Sequence, residues 1–162
     1  MFIQIDGLSG TGKTTIAGEL AKRGYTTFDA DEAFGYWGDP ETGEPTDTQH
    51  QLNWIWDLDK TRTLASESAD KTVFICGGSM NQNKIKDVFD YRFTLVVDDK
   101  TLKHRLLTRT NSDFGKEPED LARQLEWNQG IVGYAESIGS VVIDATKPIN
   151  TVADDILTRI AA

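Results

Sequence analysis

Short apolar runs alternate along this chain with segments in which apolar residues recur at helical spacing. β-Branched and aromatic residues cluster at positions 2–6, 25–28, 72–76, 91–97 and 140–144, and each run has the length of a strand. Helical patterns fill the gaps between these runs. Because such alternation is typical of a parallel sheet covered by helices, the pattern predicts an α/β fold with five parallel strands.

Two helices are clear from the pattern, and two segments have no regular pattern. The first helix is predicted from about Lys13 to Arg23, where Gly24 ends it. The last helix follows Pro148, and its apolar positions keep the helical period: Ile149, Val152, Ala153, Ile156, Leu157 and Ile160. Residues 35–47 and 110–120 are polar and rich in turn formers, so both are predicted to be loops. No linker divides the chain, and residues 1–162 are predicted to form a single domain.

The composition of the chain argues against nucleic acids and membranes as binding partners. The net charge of −9 opposes binding to a nucleic-acid backbone, which depends on Lys and Arg, so no nucleic-acid partner is expected. No apolar run approaches the roughly 20 residues that cross a bilayer, and the first residues read as a strand rather than a secretion signal. The single cysteine, Cys76, has no internal disulfide partner. A cytoplasmic protein without a membrane partner is therefore expected.

Residues 7–14 read GLSGTGKT and match the phosphate-binding pattern G-x-x-x-x-G-K-[ST] between a predicted strand and a predicted helix. Backbone N–H groups of such a loop surround phosphates, Lys13 reaches the β- and γ-phosphates, and the Thr14 hydroxyl binds Mg²⁺. A glycine-rich turn with a solvated lysine is the structural alternative. The candidate residues for ATP are Gly7, Ser9, Gly10, Thr11, Gly12, Lys13, Thr14 and Thr15.

Residues 28–31, Phe-Asp-Ala-Asp, follow the second predicted strand and resemble the Asp-x-Asp motif of shikimate kinases. The order of elements is similar to that of the nucleoside monophosphate kinase and shikimate kinase group of P-loop proteins over nearly the whole chain. This resemblance implies a P-loop NTPase fold with sheet order 2-3-1-4-5, an acceptor region at about 31–70 and a short lid at about 110–120. It also implies that Asp29 helps to hold Mg²⁺ and that Asp31 contacts the acceptor hydroxyl. A turn with a helix cap is the alternative for this pair.

Two further segments resemble parts of these kinases. Gly77 and Gly78 end a buried strand like the one that lines the acceptor pocket of shikimate kinases, although a plain strand-to-helix turn has the same pattern. Arg105 and Arg109 lie four residues apart before the predicted lid, as in nucleoside monophosphate kinases, where the first stacks on adenine and the second meets phosphates. The alternative for these arginines is a solvated helix face. Lys116 and Arg123 are additional candidates for a phosphate clamp.

Aromatic residues are abundant in the predicted acceptor region. Tyr36 and Trp37 are candidates for stacking on a base or a sugar. Trp54 and Trp56 are predicted to lie on a helix, where they pack against the core. Shikimate kinases carry a substrate-binding arginine at about this point, whereas this chain has Asn53 beside the tryptophans. An uncharged ring compound therefore suits the region better than shikimate does.

The sequence thus predicts an ATP- and Mg²⁺-dependent small-molecule kinase. Lys13 and Arg109 would stabilise the transferring phosphoryl group, and Asp31 would accept the proton of the acceptor hydroxyl. The candidate acceptor-binding residues are Asp31, Tyr36, Trp37, Gly77 and Gly78. A nucleoside monophosphate kinase is the alternative within the fold, and an ATP-binding regulator with little turnover is the alternative outside it. The sequence leaves open the acceptor, GTP as donor, and a monomer or homodimer.

Overall fold

A five-stranded parallel sheet forms the centre of the computed structural model, which describes all residues from 1 to 162. Its strands are β1 (Phe2–Gly7), β2 (Thr26–Asp29), β5 (Val73–Cys76), β6 (Tyr91–Val96) and β7 (Val141–Asp144). Two short strands, β3 (Gly35–Trp37) and β4 (Trp54–Trp56), pair antiparallel outside this sheet.

The strands of the main sheet lie in the order β2-β5-β1-β6-β7. Counted along the chain without β3 and β4, this is the order 2-3-1-4-5, which confirms the expected fold. Strand β1 is central and pairs with β5 on one side and β6 on the other. Since all five strands are parallel, the segments that follow β1, β2 and β5 meet at one edge of the sheet, where ligands bind in such folds.

Six α-helices flank the sheet: α1 (Lys13–Lys22), α2 (Ala30–Phe34), α3 (Leu58–Glu67), α4 (Asp99–Thr108), α5 (Pro118–Ser137) and α6 (Ile149–Ala161). Two 3₁₀ regions, Gln51–Asn53 and Gln82–Val88, complete the regular structure, and the second is kinked at Ile85. Aspartates cap the N-termini of α2, α3 and α4 because their side chains accept hydrogen bonds from exposed N–H groups. No helix combines the length and the apolar character needed to cross a membrane.

The core has two parts, one on each face of the sheet. Alternate residues of a strand point to opposite faces, so Ile3 and Ile5 of β1 pack on one side and Phe2 packs on the other. The larger part joins the strands to α1, α4 and α6, and the smaller part includes Phe34 and Trp56. The sheet is therefore covered on both faces, as the alternating pattern predicted.

The prediction that Trp54 and Trp56 lie on a helix is wrong. They flank Ile55 in β4, which follows a 3₁₀ segment and precedes α3. Aromatic and β-branched residues fit a pleated strand, and pairing with β3 decided the conformation. The loop predicted at 35–47 consequently begins with β3.

The predicted lid is shorter than expected. Helix α4 ends at Thr108, and α5 begins at Pro118, which occupies the first turn of that helix. The irregular segment is therefore 109–117 rather than 110–120. Residues 118–120 belong to α5, because proline is well suited to a helix start.

Candidate functional site

The glycine-rich loop connects β1 to α1 at the carboxyl edge of the sheet. Gly10 and Gly12 have φ angles of 87° and 105°, in the left-handed region that favours glycine. At Gly7 a Cβ atom would collide with Thr11 Oγ1 and approach Leu95 O, so the loop packs closely on β6. The loop therefore presents its backbone N–H groups together with the N-terminus of α1, which is the arrangement that binds phosphate.

Lys13 is the first residue of α1, and its side chain extends back over the loop. Its Nζ donates to Gly7 O at 2.5 Å and to Leu8 O at 3.0 Å. Burial lowers the pKa of Lys13, while the nearby carboxylates of Asp6 and Asp31 oppose that shift. The ammonium group is thus held beside two carboxylates at the mouth of the loop.

A cavity of about 510 Å³ lies over the loop and α1. The predicted nucleotide residues that line it are Ser9, Gly10, Thr11, Gly12, Lys13, Thr14, Thr15, Arg105 and Arg109. Ala145 and Lys147, in the turn after β7, line the same space. The structure therefore brings together nearly all of the residues that the sequence assigned to ATP.

Arg105 and Arg109 reach this cavity from α4 and from its C-terminal end. Arg105 donates to Thr11 O at 3.3 Å and to Ala145 O at 3.0 Å, so it links the loop to the turn after β7. Arg109 donates from Nη2 to Phe114 O at 2.6 Å, within the lid segment. The Nε of Arg109 is buried without a partner, and burial lowers the pKa of this guanidinium. Arg109 thus retains one donor without a partner.

A second, larger cavity of about 1100 Å³ adjoins the first. Both are lined by Ser9, Lys13 and Asp31, so the two spaces meet at the lysine and this carboxylate. Trp37 and Trp54 form part of its wall, and residues of α5 form another part. The arrangement places a phosphate-binding space beside a space with aromatic walls.

A protein-family model described as an AAA domain matches residues 3–126. The chain belongs to this family. The match includes the glycine-rich loop, Asp31, both arginines and the first part of α5, and so most of the residues that line the two cavities. A search of curated protein sequences found no match to this member of the AAA-domain family.

Solved structures of several kinases share the fold. A deoxyadenosine kinase from M. mycoides with bound dATP has a TM-score of 0.60 at 17% identity, with all of both chains covered. A shikimate kinase from Acinetobacter baumannii has a TM-score of 0.65 at 17% identity, with 99% of this chain and 92% of the kinase chain covered. A gluconokinase from Sinorhizobium meliloti 1021 has a TM-score of 0.60 at 18% identity, with 98% of this chain and 90% of the gluconokinase chain covered. These likenesses confirm the resemblance to the P-loop kinase group at the level of the fold.

Asp29 and Asp31 occupy different environments in this AAA-domain chain. Asp29 caps α2: its Oδ1 accepts from the backbone N–H of Asp31 at 2.9 Å, and it lines neither cavity. Asp31 points into the junction of the two cavities, where its Oδ1 accepts from Trp54 Nε1 at 2.8 Å. Shielding from water raises the pKa of Asp31, and the Trp54 hydrogen bond and Lys13 oppose this shift. Of the pair, Asp31 is the one placed for chemistry.

Only some of the other predicted acceptor residues line a cavity. Trp37 and Gly78 line the larger cavity, and the Trp37 and Trp54 rings pack edge to face at 4.8 Å. Tyr36 instead donates from its hydroxyl to Gly43 O at 2.8 Å, which closes the turn after β3. Gly77 packs against α2, where a Cβ would collide with that of Ala30. Tyr36 and Gly77 thus support the cavity without lining it.

Lys116 and Arg123, the two further candidates for a phosphate clamp, lie in different places. Lys116 forms an ion pair with Asp113 at 2.8 Å and lines neither cavity. Arg123 lines the larger cavity, where it pairs with Asp120 at 3.2 Å. The lid segment therefore places no lysine against the phosphate space in this conformation.

Sequence reasoning missed a wall and a floor of the larger cavity. The wall is one face of α5, where Asp120, Trp127, Ile131 and Tyr134 line the cavity together with the predicted Arg123 at spacings of three or four residues. The floor includes Asp6, the last residue before the loop, and Gln82. The helical spacing along α5 and a carboxylate directly before the loop were visible in the sequence, whereas nothing local pointed to Gln82.

No three His, Cys, Asp or Glu side chains lie close enough together to hold a metal ion by themselves. The exposed hydroxyl of Thr14 lines the phosphate cavity. Oxygen ligands of this kind suit Mg²⁺, which takes few protein ligands and several from phosphates. The residues present therefore fit a magnesium ion that arrives with a nucleotide.

Proposed function

We propose that this protein is an ATP- and Mg²⁺-dependent phosphotransferase that moves the γ-phosphoryl group to a hydroxyl of a small molecule. The observation that carries the proposal is the meeting of two cavities at Lys13 and Asp31. One cavity has the donors that phosphates require, and the other has the aromatic walls that suit a ring compound. A binding module for ATP alone would not need the second cavity.

The donor side is built from backbone N–H groups and cations. The loop and the N-terminus of α1 would bind the β- and γ-phosphates, and Lys13 would turn from Gly7 O and Leu8 O toward them. Arg109, with its unpaired buried Nε, would stabilise charge on the transferring group. Arg105 and the turn after β7 would flank the adenine.

Mg²⁺ bound with the nucleotide would neutralise phosphate charge, and the Thr14 hydroxyl is the side-chain oxygen that fits it. The role of Asp29 as an additional ligand through water stays a prediction, since its carboxylate caps α2.

Asp31 is proposed as the base. Its carboxylate would accept the proton of the acceptor hydroxyl while the oxygen forms a bond to the γ-phosphorus and the bond to the β-phosphate oxygen breaks. ADP and a phosphate ester would be the products. Trp54 Nε1, which donates to Asp31 Oδ1, would hold the carboxylate in position.

The acceptor class follows from the cavity walls and from the neighbours. The neighbours named above are a deoxyadenosine kinase, a gluconokinase and a shikimate kinase, whose names denote small-molecule acceptors. Trp37, Trp54 and Trp127 suit the face of a base or a sugar. A nucleoside or a sugar is therefore the proposed acceptor, and a nucleoside monophosphate is the alternative.

The test is transfer of label from γ-labelled ATP with Mg²⁺ to a panel of nucleosides, nucleoside monophosphates and sugars. A labelled ester is expected with the unmodified protein. Asp31→Asn should retain ATP binding and lower the transfer rate at least about a hundredfold, the lower range for a general base. Bound ATP without any labelled product would instead favour a regulatory protein.

A further inference from the structure

A chain of buried polar side chains runs across the sheet and ends at the floor of the larger cavity. Arg92 Nε donates to Gln4 Oε1 at 2.8 Å, and Gln4 Nε2 donates to Gln82 Oε1 at 2.7 Å. Gln82 Nε2 in turn donates to Asp6 Oδ2 at 2.8 Å. Gln4, Gln82 and Arg92 are all buried. The four groups are aligned so that a guanidinium stands at one end and a carboxylate at the other.

This alignment has a physical cause. Arg92 has no carboxylate in contact, and burying its charge without compensation would be costly. Asp6 is among the negative groups that act on Arg92 across the two amides. Each amide donates toward Asp6 and accepts from the Arg92 side, so the dipoles favour negative charge at the cavity floor. The network therefore holds a carboxylate at a defined place.

The position of Asp6 is further restricted by its neighbours. Its Oδ1 accepts from the N–H of Gly7 at 2.7 Å. A Cβ atom at Gly78 would collide with the carboxylate, so the glycine makes room for it. Tyr134 of α5 contacts the same amide, since Gln82 Nε2 lies 3.3 Å from its hydroxyl. The Asp6 carboxylate thus lies between the loop, the glycine turn and α5, on the lining of the cavity.

The charged groups around this cavity are unbalanced. Four carboxylates line it, those of Asp6, Asp31, Asp120 and Glu126, against two cations, Lys13 and Arg123. Arg123 already pairs with Asp120, and the proposed function assigns Lys13 to the donor phosphates. Asp6, Asp31 and Glu126 therefore have no cation assigned to them. A carboxylate or phosphate on the acceptor would meet like charges, and this repulsion would weaken its binding.

We propose that Asp6 is a second acceptor-binding carboxylate, held in place by Gln82, and that the cavity selects a hydroxyl compound without negative charge. This inference rests on the proposed function. Asp6 accepts hydrogen bonds from hydroxyl or amino groups of the acceptor, while Asp31 faces the reacting hydroxyl. The aromatic walls contact the faces of the ring. A nucleoside or a neutral or amino sugar satisfies these conditions, and a nucleoside monophosphate does not.

The first experiment separates acceptors by charge. A small-molecule extract of the organism that carries the gene is passed over an anion exchanger, and the unretained and retained fractions are each incubated with protein, Mg²⁺ and γ-labelled ATP. Labelled ester from the unretained fraction is the expected result. Label formed only in the retained, anionic fraction would overturn the inference and leave the kinase assignment intact. Label in neither fraction, with ATP bound, would reject the proposed function itself.

The second experiment tests Asp6 with the acceptor so identified and an anionic derivative of it. Asp6→Asn should raise KM for the neutral acceptor about tenfold, as the loss of one hydrogen bond to a charged group implies. It should leave ATP affinity unchanged and reduce the preference for the neutral compound. Glu126→Gln, at an exposed position, should reduce that preference even if Asp6→Asn fails to fold. Glu136→Gln is the control, because it removes one exposed charge from α5 outside the cavity. An unchanged preference in both test variants would contradict the inference.

Discussion

Asp31 and Lys13 show how single residues obtain their properties from neighbours that are distant in the chain. Asp31 accepts from an indole that is supplied by β4, and Lys13 feels the charges of both Asp6, on β1, and Asp31, on α2. Desolvation acts in opposite directions on the two groups, because it raises the pKa of the acid and lowers that of the ammonium. Each group is therefore shifted toward its neutral form until a ligand changes the balance.

Lys13→Ala should weaken ATP binding. The substitution removes a charged donor to the phosphates, which is worth about a 10- to 100-fold change in dissociation constant. Titration calorimetry with ATP and Mg²⁺ measures this directly. Lys22→Ala, at the exposed end of the same helix, should bind ATP normally. Equal affinities for all three proteins would remove Lys13 from the phosphate site.

Trp54→Phe should shift the pH dependence of phosphoryl transfer. A base acts in its ionised form, so the rate should fall as the pH drops through the Asp31 pKa. The Trp54 hydrogen bond lowers that pKa, and its loss should move the acidic limb of the profile to higher pH. The measurement is kcat/KM against pH, with Trp37→Phe as the matched control. A limb that stays in place would mean that Asp31 is not the titrating base.

The element that carries Trp54 is a short strand outside the main sheet, and one buried side chain attaches it. Asn81 Oδ1 accepts from Trp56 N, and Asn81 Nδ2 donates to Trp56 O, each at 2.9 Å. The asparagine thereby pairs with β4 as a neighbouring strand would. Since β4 has only β3 as a strand partner, this contact and the hydrogen bond from Met80 N to Trp54 O, at 2.9 Å, attach the segment whose indole meets Asp31.

Asn81→Ala should destabilise the protein by about 2–4 kcal/mol, because it leaves a buried N–H and a buried carbonyl without partners. Denaturant unfolding followed by tryptophan fluorescence gives the free energy of unfolding. Asn150→Ala changes an exposed side chain with no hydrogen bond and should alter that free energy by no more than about 0.5 kcal/mol. Equal stabilities of the two variants would show that Asn81 does not secure β4.

At the scale of the whole molecule, the reactivity of the single cysteine shows whether the sheet is folded. Cys76 ends β5 within the larger part of the core, and burial raises the pKa of its thiol to about 12. The reactive thiolate is therefore almost absent at neutral pH. In the unfolded chain the same thiol would have its ordinary pKa and full exposure.

Alkylation of Cys76 by iodoacetamide at pH 8 should thus require unfolding. The native rate should be roughly a thousandfold below that of the chain in denaturant, as the thiolate fractions imply. Mass spectrometry of the alkylated fraction measures both rates. ATP should slow the native reaction further if it stabilises the folded state. A native rate near the unfolded rate would show that the carboxyl edge of β5 opens locally.

The sequence by itself determined the parallel α/β fold and the loop from Gly7 to Thr14, because these depend on local periodicity and on contiguous residues. The strand order was predicted only through the resemblance to P-loop kinases. Tertiary structure decided the rest of the site. Pairing with β3 turned the tryptophan segment into a strand, packing placed α5 opposite it, and the fold brought Gln82 to Asp6. Such contacts join segments far apart in the chain, and their hydrogen bonds exist only when both partners are buried together.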